Sequence, residues 1–203
     1  MNMSEESKSS MTGSLKSAFE SGFSNAASSL SRMINDKVCF KNYYSDFHTL
    51  ESDQFSSIDL TNHNGSSVLI TTEIFGDITG KSYLLISEKE FDLLTHGIPK
   101  GTDPTVCLKE EFTKELDNIL SASVITRLSN ELSRKMYGDI PILVGKVSGS
   151  IVDIIYDDFS EQTEMVYVNS IYFDFEKQPG VNPVFIWVVD AGSLRVLEPR
   201  SIT

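Results

Sequence analysis

The sequence predicts an α+β fold in which two long helices pack on a largely antiparallel sheet. Three observations carry that prediction: a helical apolar period near the N-terminus, a second from about residue 109, and strand-like hairpin segments after each. The chain has 203 residues, the size of one domain or of two fused halves. Its hydrophobic share of 40% can build a core, which excludes disorder along the whole length. Acidic residues outnumber basic ones 29 to 17, for a net charge of −12. That balance argues against nucleic acid or an anionic membrane as the main partner, because both attract a positive surface. No apolar run approaches the ~18–20 residues of a membrane span, and MNMSEESKSS lacks the apolar core of a secretory signal. A soluble, cytoplasmic protein is expected.

Along the chain, the Ser/Glu/Lys-rich residues 1–12 are expected as a flexible tail, with one folded domain over 13–203. From Gly13 to Ile34 the apolar positions Leu15, Ala18, Phe19, Gly22, Phe23, Ala26, Ala27, Leu30, Met33 and Ile34 recur at helical spacing, and Asn35-Asp36 stops them. Gly22, Ala26 and Ala27 leave room for a neighbouring element. Val38 to Leu60 reads as one or two strands, followed by a turn at Asn62-His63-Asn64-Gly65. SVLITTEIF (67–75) and SYLLIS (82–87) form a hairpin across Gly76–Gly80. Glu88–His96 is a short amphipathic helix with Ser87 as N-cap, ended by Gly97 and Pro99. Lys100–Val106 is a loop. The second long helix is expected from Lys109 to Tyr137, ended by Gly138. Strands are then expected at Ile142–Tyr156, Met165–Phe175 and Val184–Val196, the last two joined by a turn at Gln178-Pro179-Gly180.

Helix, strands and a short helix followed by helix and strands suggest a doubling, with halves at about 13–98 and 99–203. A shift of 98 residues places Leu30-Ser31 on Leu128-Ser129, Val68 on Val166, Ile70 on Val168 and Phe75 on Phe173. These matches alone leave duplication open. Cys39 and Cys107 show no metal spacing and read as buried thiols. His48, His63 and His96 are scattered, and no metal or cofactor is expected on this chain.

The chemistry is concentrated in EFTKELDNILSASVITRLSNELSRKMYGDIP, residues 111–141. At 100° per residue Glu111, Glu115 and Asn118 fall within about 60° of one another on a helix. Ala122 and Ser129 continue that stripe with short side chains, while Phe112, Leu116, Ile119 and Leu120 anchor the helix. By itself a Glu-x-x-Asn pair reads as the decoration of a solvated helix face, although Asn is a mediocre helix-interior residue.

This stretch resembles the signature of the CheC/CheX/FliY family of chemotaxis phosphatases, which act on the phosphorylated response regulator CheY. The family pattern is Asp or Ser, three residues, Glu, two residues, Asn, about 22 residues, then Pro. Glu115, Asn118 and Pro141 fit it, with 22 residues between the last two. Glu111 departs from Asp/Ser at the first position. Asn25-Ala26-Ala27 with Leu30-Ser31 resembles the family's first helix, and Gly76-Asp77-Ile78-Thr79-Gly80 its glycine-bearing hairpin.

The resemblance implies a CheC-like fold of two pseudo-twofold halves and a phosphatase for the aspartyl phosphate of a CheY-like regulator. It implies Asn118 as the residue that orients water and Glu115 as the partner of the regulator's lysine. Glu111, Ala122 and Pro141 would contact the regulator, which itself supplies Mg²⁺. Under the 98-residue shift the first half carries Ser17, Glu20 and Tyr43 at the three signature positions, so a single working site in the second half is expected. A monomer is expected. The competing reading is a non-catalytic adaptor for a response regulator, for the receptor deamidase CheD, or within a flagellar switch. Ordinary hydrolase and nucleotide-binding fingerprints are absent from the sequence.

Overall fold

The computed structural model describes residues 5–60, 66–95 and 108–197, without the side chains of 5–11 and 42. The expected turn at Asn62–Gly65, the Gly97/Pro99 stop and the Lys100–Val106 loop lie outside these residues, as do His63, His96 and Cys107. The elements run α1 (Glu5–Ile34), β1 (Val38–Thr49), α2 (Asp53–Ser56), β2 (Ser67–Gly76), β3 (Gly80–Ser87), α3 (Glu88–Leu94) and α4 (Leu108–Leu132). They continue with β4 (Met136–Gly138), β5 (Ile142–Val147), α5 (Ile151–Phe159), β6 (Met165–Phe175), β7 (Val184–Asp190) and a 3₁₀ turn over Ser193–Leu197.

All seven strands join one sheet in the order β1-β6-β7-β3-β2, with β4 and β5 both on the outer side of β2. Every pairing is antiparallel. The two long helices lie together on one face. Leu15, Phe19, Phe23 and Leu30 of α1 and Leu116, Leu120, Val124 and Leu128 of α4 share a core with Ile70, Ile74, Phe173, Phe185 and Trp187. The opposite face is covered by α2 and α5, where Phe55, Ile151, Val152, Ile155 and Phe159 meet Leu69, Tyr83, Val168 and Ile186. Alternate residues of each strand feed the two cores, as the pleat requires.

The helices approach closely where side chains are small. A Cβ built on Gly22 would stand 3.1 Å from Val124 Cγ1 and 3.4 Å from its Cα. Near that crossing the Asn25 amide donates to the Ser123 carbonyl at 3.1 Å.

Both helices end alike. Asn35 and Ser133 adopt φ of 52°, and the amides of Asp36 and Arg134 reach back to the carbonyls of Ser31 and Ser129 at 3.2 and 3.1 Å. This is the Schellman arrangement, which satisfies carbonyls the helix leaves open. It stops α4 at Leu132, short of the Tyr137 expected from periodicity. Gly138 therefore ends β4 rather than the helix. At the other end α1 starts at Glu5 instead of Gly13, reaching into the stretch expected as a tail.

The segment 142–156 is not one strand. It divides into β5 and the amphipathic α5, whose N-cap Ser150 accepts from the Val152 amide at 3.2 Å. Its buried positions 151, 152, 155 and 159 have helical spacing, which the β-branched composition obscures. Likewise β1 is a single strand followed by the short α2, and β7 stops at Asp190 rather than Val196. Cys39 is exposed, not buried.

The strand order reads the same from either edge when β1 is matched to β4 plus β5, β2 to β6, and β3 to β7. The helix ends and the short-helix N-caps Ser52 and Ser150 repeat at the spacing that separates Asn25 from Ser123, which is 98 residues. The strand matches made at that shift do not hold. Val68 and Ile70 belong to the long-helix core while Val166 and Val168 belong to the other, because a one-residue slip reverses a strand's faces. Pairs Tyr44–Ser170 and Ile142–Thr71 coincide when β1 is placed on β5 at the helix spacing and β2 on β6 one residue further.

Filling the helix crossing tests this packing. Gly22→Leu is expected to lower unfolding free energy by roughly 1–3 kcal/mol in urea titration, because Val124 backbone cannot retreat without moving α4.

Candidate active site

Helix α4 buries Thr113, Leu116, Asp117, Leu120, Ser121, Val124 and Leu128. That inner stripe turns Glu111, Glu115 and Asn118 outward, and all three are exposed. The opposite wall is made by the chain between β4 and β5. Gly138 pairs with Ile74 and Ile142 with Thr71, so Asp139, Ile140 and Pro141 face only Thr72 and Glu73 and bulge from the ladder. Pro141 has no N–H to give to the sheet, which fits its place at the break. The Asp139 carboxylate accepts from the Ile140 amide at 2.7 Å and the Asp139 amide donates to the Glu73 carbonyl at 2.9 Å, fixing the bulge.

The two walls enclose an open cleft of about 370 Å³ lined by Glu111, Lys114, Glu115, Asn118, Gly138, Asp139, Ile140 and Pro141. Four residues singled out from sequence thus converge. Ala122 is exposed on the next turn of α4 but does not line the cleft. Lys114, Gly138, Asp139 and Ile140 were not singled out, although the first lies inside the signature spacing and the others precede Pro141. Lys114 pairs with Glu111 at 2.5 Å. Neither Glu115 nor Asn118 has a side-chain hydrogen bond or ion pair among the described residues, so both are available to an incoming group. Among the described residues no group of three or more His, Cys, Asp or Glu could hold a metal ion.

Beside the cleft the sheet edge is apolar. Phe75 and Tyr137 stack with ring centroids 5.7 Å apart, and Ile140, Ile142 and Val144 are 79%, 60% and 54% exposed. This exposed apolar patch lies on the strands that border the cleft.

The first half is built differently at the same place. Tyr43, the counterpart of Pro141, is half-buried against α1. Its hydroxyl donates to Asn169 Oδ1 at 3.0 Å, and the Lys16 ammonium stands 5.8 Å from its ring centroid. Phe23 packs on the same ring at 5.8 Å. Lys16 falls on Lys114 at the 98-residue shift, so the ring stands against the helix position that lines the cleft in the second half. Glu20, in place of Asn118, is exposed.

Next to Asn118, on the inner side of α4, lies a residue not singled out from the sequence. Asp117 is fully buried, and the Thr72 hydroxyl donates to its Oδ2 at 2.6 Å while Oδ1 has no partner. Burial pushes its pKa up to about 7, against the lowering effect of the Thr72 and Ser121 hydroxyls.

No family model matches the sequence, and no curated protein matches it. Solved structures do match in fold. FliY of Thermotoga maritima superposes with a TM-score of 0.62 at 17% identity, covering 97% of this chain and 96% of that one. The fold is that of the CheC/CheX/FliY chemotaxis proteins. The chemotaxis protein CheX of Desulfovibrio desulfuricans matches at 0.50 and 12% identity, over 85% of this chain and 97% of its own. The FliM middle domain of H. pylori also matches, at 0.54 and 15% identity over 96% of this chain and 98% of its own.

The buried carboxyl gives a stability test. Its folded pKa stands above the unfolded value near 3.9, so its contribution is fully present below about pH 4 and is lost as pH rises through about 7. Asp117→Asn is therefore expected to gain on the wild type by roughly 2–4 kcal/mol between pH 4 and pH 8, read as the difference in unfolding free energy. An unchanged difference across that range would refute the raised pKa of Asp117.

Proposed function

We propose that this protein accelerates hydrolysis of the aspartyl phosphate of a CheY-like response regulator, using one site in its second half. The observation that supports this most directly is the exposed, unpartnered Asn118 and Glu115 on a rigid helix, facing the Pro141 bulge across one open cleft. Those residues match the phosphatase signature at its Glu, Asn and Pro positions.

An aspartyl phosphate is already activated, so acceleration needs a water held in line with the leaving oxygen and stabilisation of the phosphoryl oxygens. A carboxamide serves the first need: the Asn118 carbonyl oxygen accepts from the attacking water while its NH₂ donates nearby. Being neutral, it adds no repulsion against phosphate. Positioning of this kind accounts for a large part of a barrier without any proton transfer. The regulator provides the Mg²⁺ and a lysine, and Glu115 pairs with that lysine, setting how deeply Asn118 reaches. Lys114 is held to Glu111 and the cleft is bordered by Asp139, so the site does not attract phosphate by charge alone. Docking is better supplied by the apolar strip of Phe75, Tyr137, Ile140 and Ile142 beside it.

The two halves are duplicates in this reading, with the first retired from catalysis twice over. Glu20 would repel an acyl phosphate, and the Tyr43 ring fills the counterpart of the cleft. The protein is expected to act as a cytoplasmic monomer. No helix among the described residues is long and apolar enough to cross a membrane.

A second reading, a non-catalytic adaptor within a flagellar switch or bound to a regulator or CheD, has the fold likeness to the FliM middle domain in its favour. Decay of a phosphorylated regulator separates the two. Wild type is expected to speed phosphate release, and Asn118→Ala to lose roughly 3–4 kcal/mol of transition-state stabilisation while still folding. Binding without faster release would leave the adaptor, and full activity in Asn118→Ala would refute the role assigned to Asn118. Glu20→Asn added to Asn118→Ala is expected to restore nothing, because Tyr43 still blocks the first half.

A further inference from the structure

The buried seam under the cleft differs in kind from its counterpart. In the second half Asp117 meets Thr72, and one turn on the Ser121 and Ser82 hydroxyls lie 3.0 Å apart. In the first half the corresponding helix positions are Phe19 and Phe23. The corresponding strand positions are Ile171 and Phe185, which pair across β6 and β7 as Thr72 and Ser82 do across β2 and β3. There the seam is closed by rings: Phe23 on Phe185 at 6.3 Å and Phe19 on Trp187 at 5.9 Å. The fold therefore admits an all-apolar seam with no desolvated carboxyl. Burying one acid with an unsatisfied oxygen is the costlier arrangement, and it sits under the half that has the cleft.

Its placement gives it a use. Thr72 is on β2 opposite the bulge, between the residues that pair with Gly138 and Ile142. Asp117 is next to Asn118 on α4. One short hydrogen bond thus ties the helix carrying one wall to the strand that holds the other. Leucine contacts tolerate small slides of a helix over a sheet, whereas a 2.6 Å hydrogen bond does not.

We propose that Asp117 is the positioning residue of the cleft, the hydrogen bond it accepts from the Thr72 hydroxyl fixing the separation of Asn118 from the Asp139–Pro141 wall. The groups acting on Asp117 are the hydroxyls of Thr72 and Ser121. Among the described residues, no charged side chain of α1, β2, β4 or β5, all packed on α4, faces it.

The catalytic side of this inference rests on the phosphatase reading, and its structural side does not. With the full chain and a phosphorylated regulator, Thr72→Val is expected to lower the acceleration over the regulator's own decay at least threefold, in kcat rather than KM. Asp117→Asn, whose amide oxygen still accepts from Thr72, is expected to keep most of it. In the free protein the Ile140 methyl resonances, on the far wall, are expected to shift in Thr72→Val and not in Asp117→Asn. If no regulator is dephosphorylated but Ile140 responds in this way, the positioning role stands and the phosphatase reading fails. If turnover is present while Thr72→Val keeps the wild-type kcat, or Ile140 is indifferent to Thr72, the positioning role is overturned.

Discussion

Two helices of 30 and 25 residues lie side by side on one face of the sheet, and everything else follows from how closely they are allowed to approach. Gly22 and Ala26 give that approach on α1, and Val124 fills it from α4. With its inner face committed to this seam and to β2, α4 has a single orientation. Its outward residues are then fixed too, which is how two ordinary polar side chains become a presented pair. A loop could carry the same residues but would lose their geometry to its own motion.

The cleft needs a second wall, and the sheet supplies it by failing at one place. Pairing along β2 is interrupted over Asp139–Pro141, where proline cannot donate and the Asp139 side chain holds the turn. On the other edge β1 also carries an irregularity between Lys41 and Tyr44. There the extra residues deliver Tyr43 into the space against α1, and the same backbone device closes a cleft instead of opening one.

Much of this was legible in the sequence. Helical periodicity located both long helices, and β6 was read at its full span, because strong patterns over many residues leave little choice. The signature spacing brought Glu115, Asn118 and Pro141 together across 22 intervening residues, and the fold sets them around one cleft. What failed was local. Ser133 in the left-handed conformation ends α4 five residues early, and a serine gives little warning of that. Helix α5 opens on Ile, Val and Tyr residues around Asp153, and their strand preference outweighs a nine-residue helical pattern. Asp117 was hidden for a different reason: a charged residue in a helix reads as solvent-facing, and only its 100° rotation from Asn118 shows that it must point inward.

The two halves show how a symmetric fold accommodates an asymmetric task. Mirrored strand order gives each long helix an equivalent seat on the sheet, so both seats must be filled and only one must be useful. Filling is achieved in the first half by Phe19, Phe23 and Phe185, a cluster that binds the helix strongly and needs no hydrogen bonds. The second seat contains hydroxyls and an acid, which hold α4 less by burial and more by direction. A helix held by direction keeps its register relative to one strand, and register is what the role proposed for Asn118 requires. The close seam between α1 and α4 joins the two seats, so that each helix steadies the other.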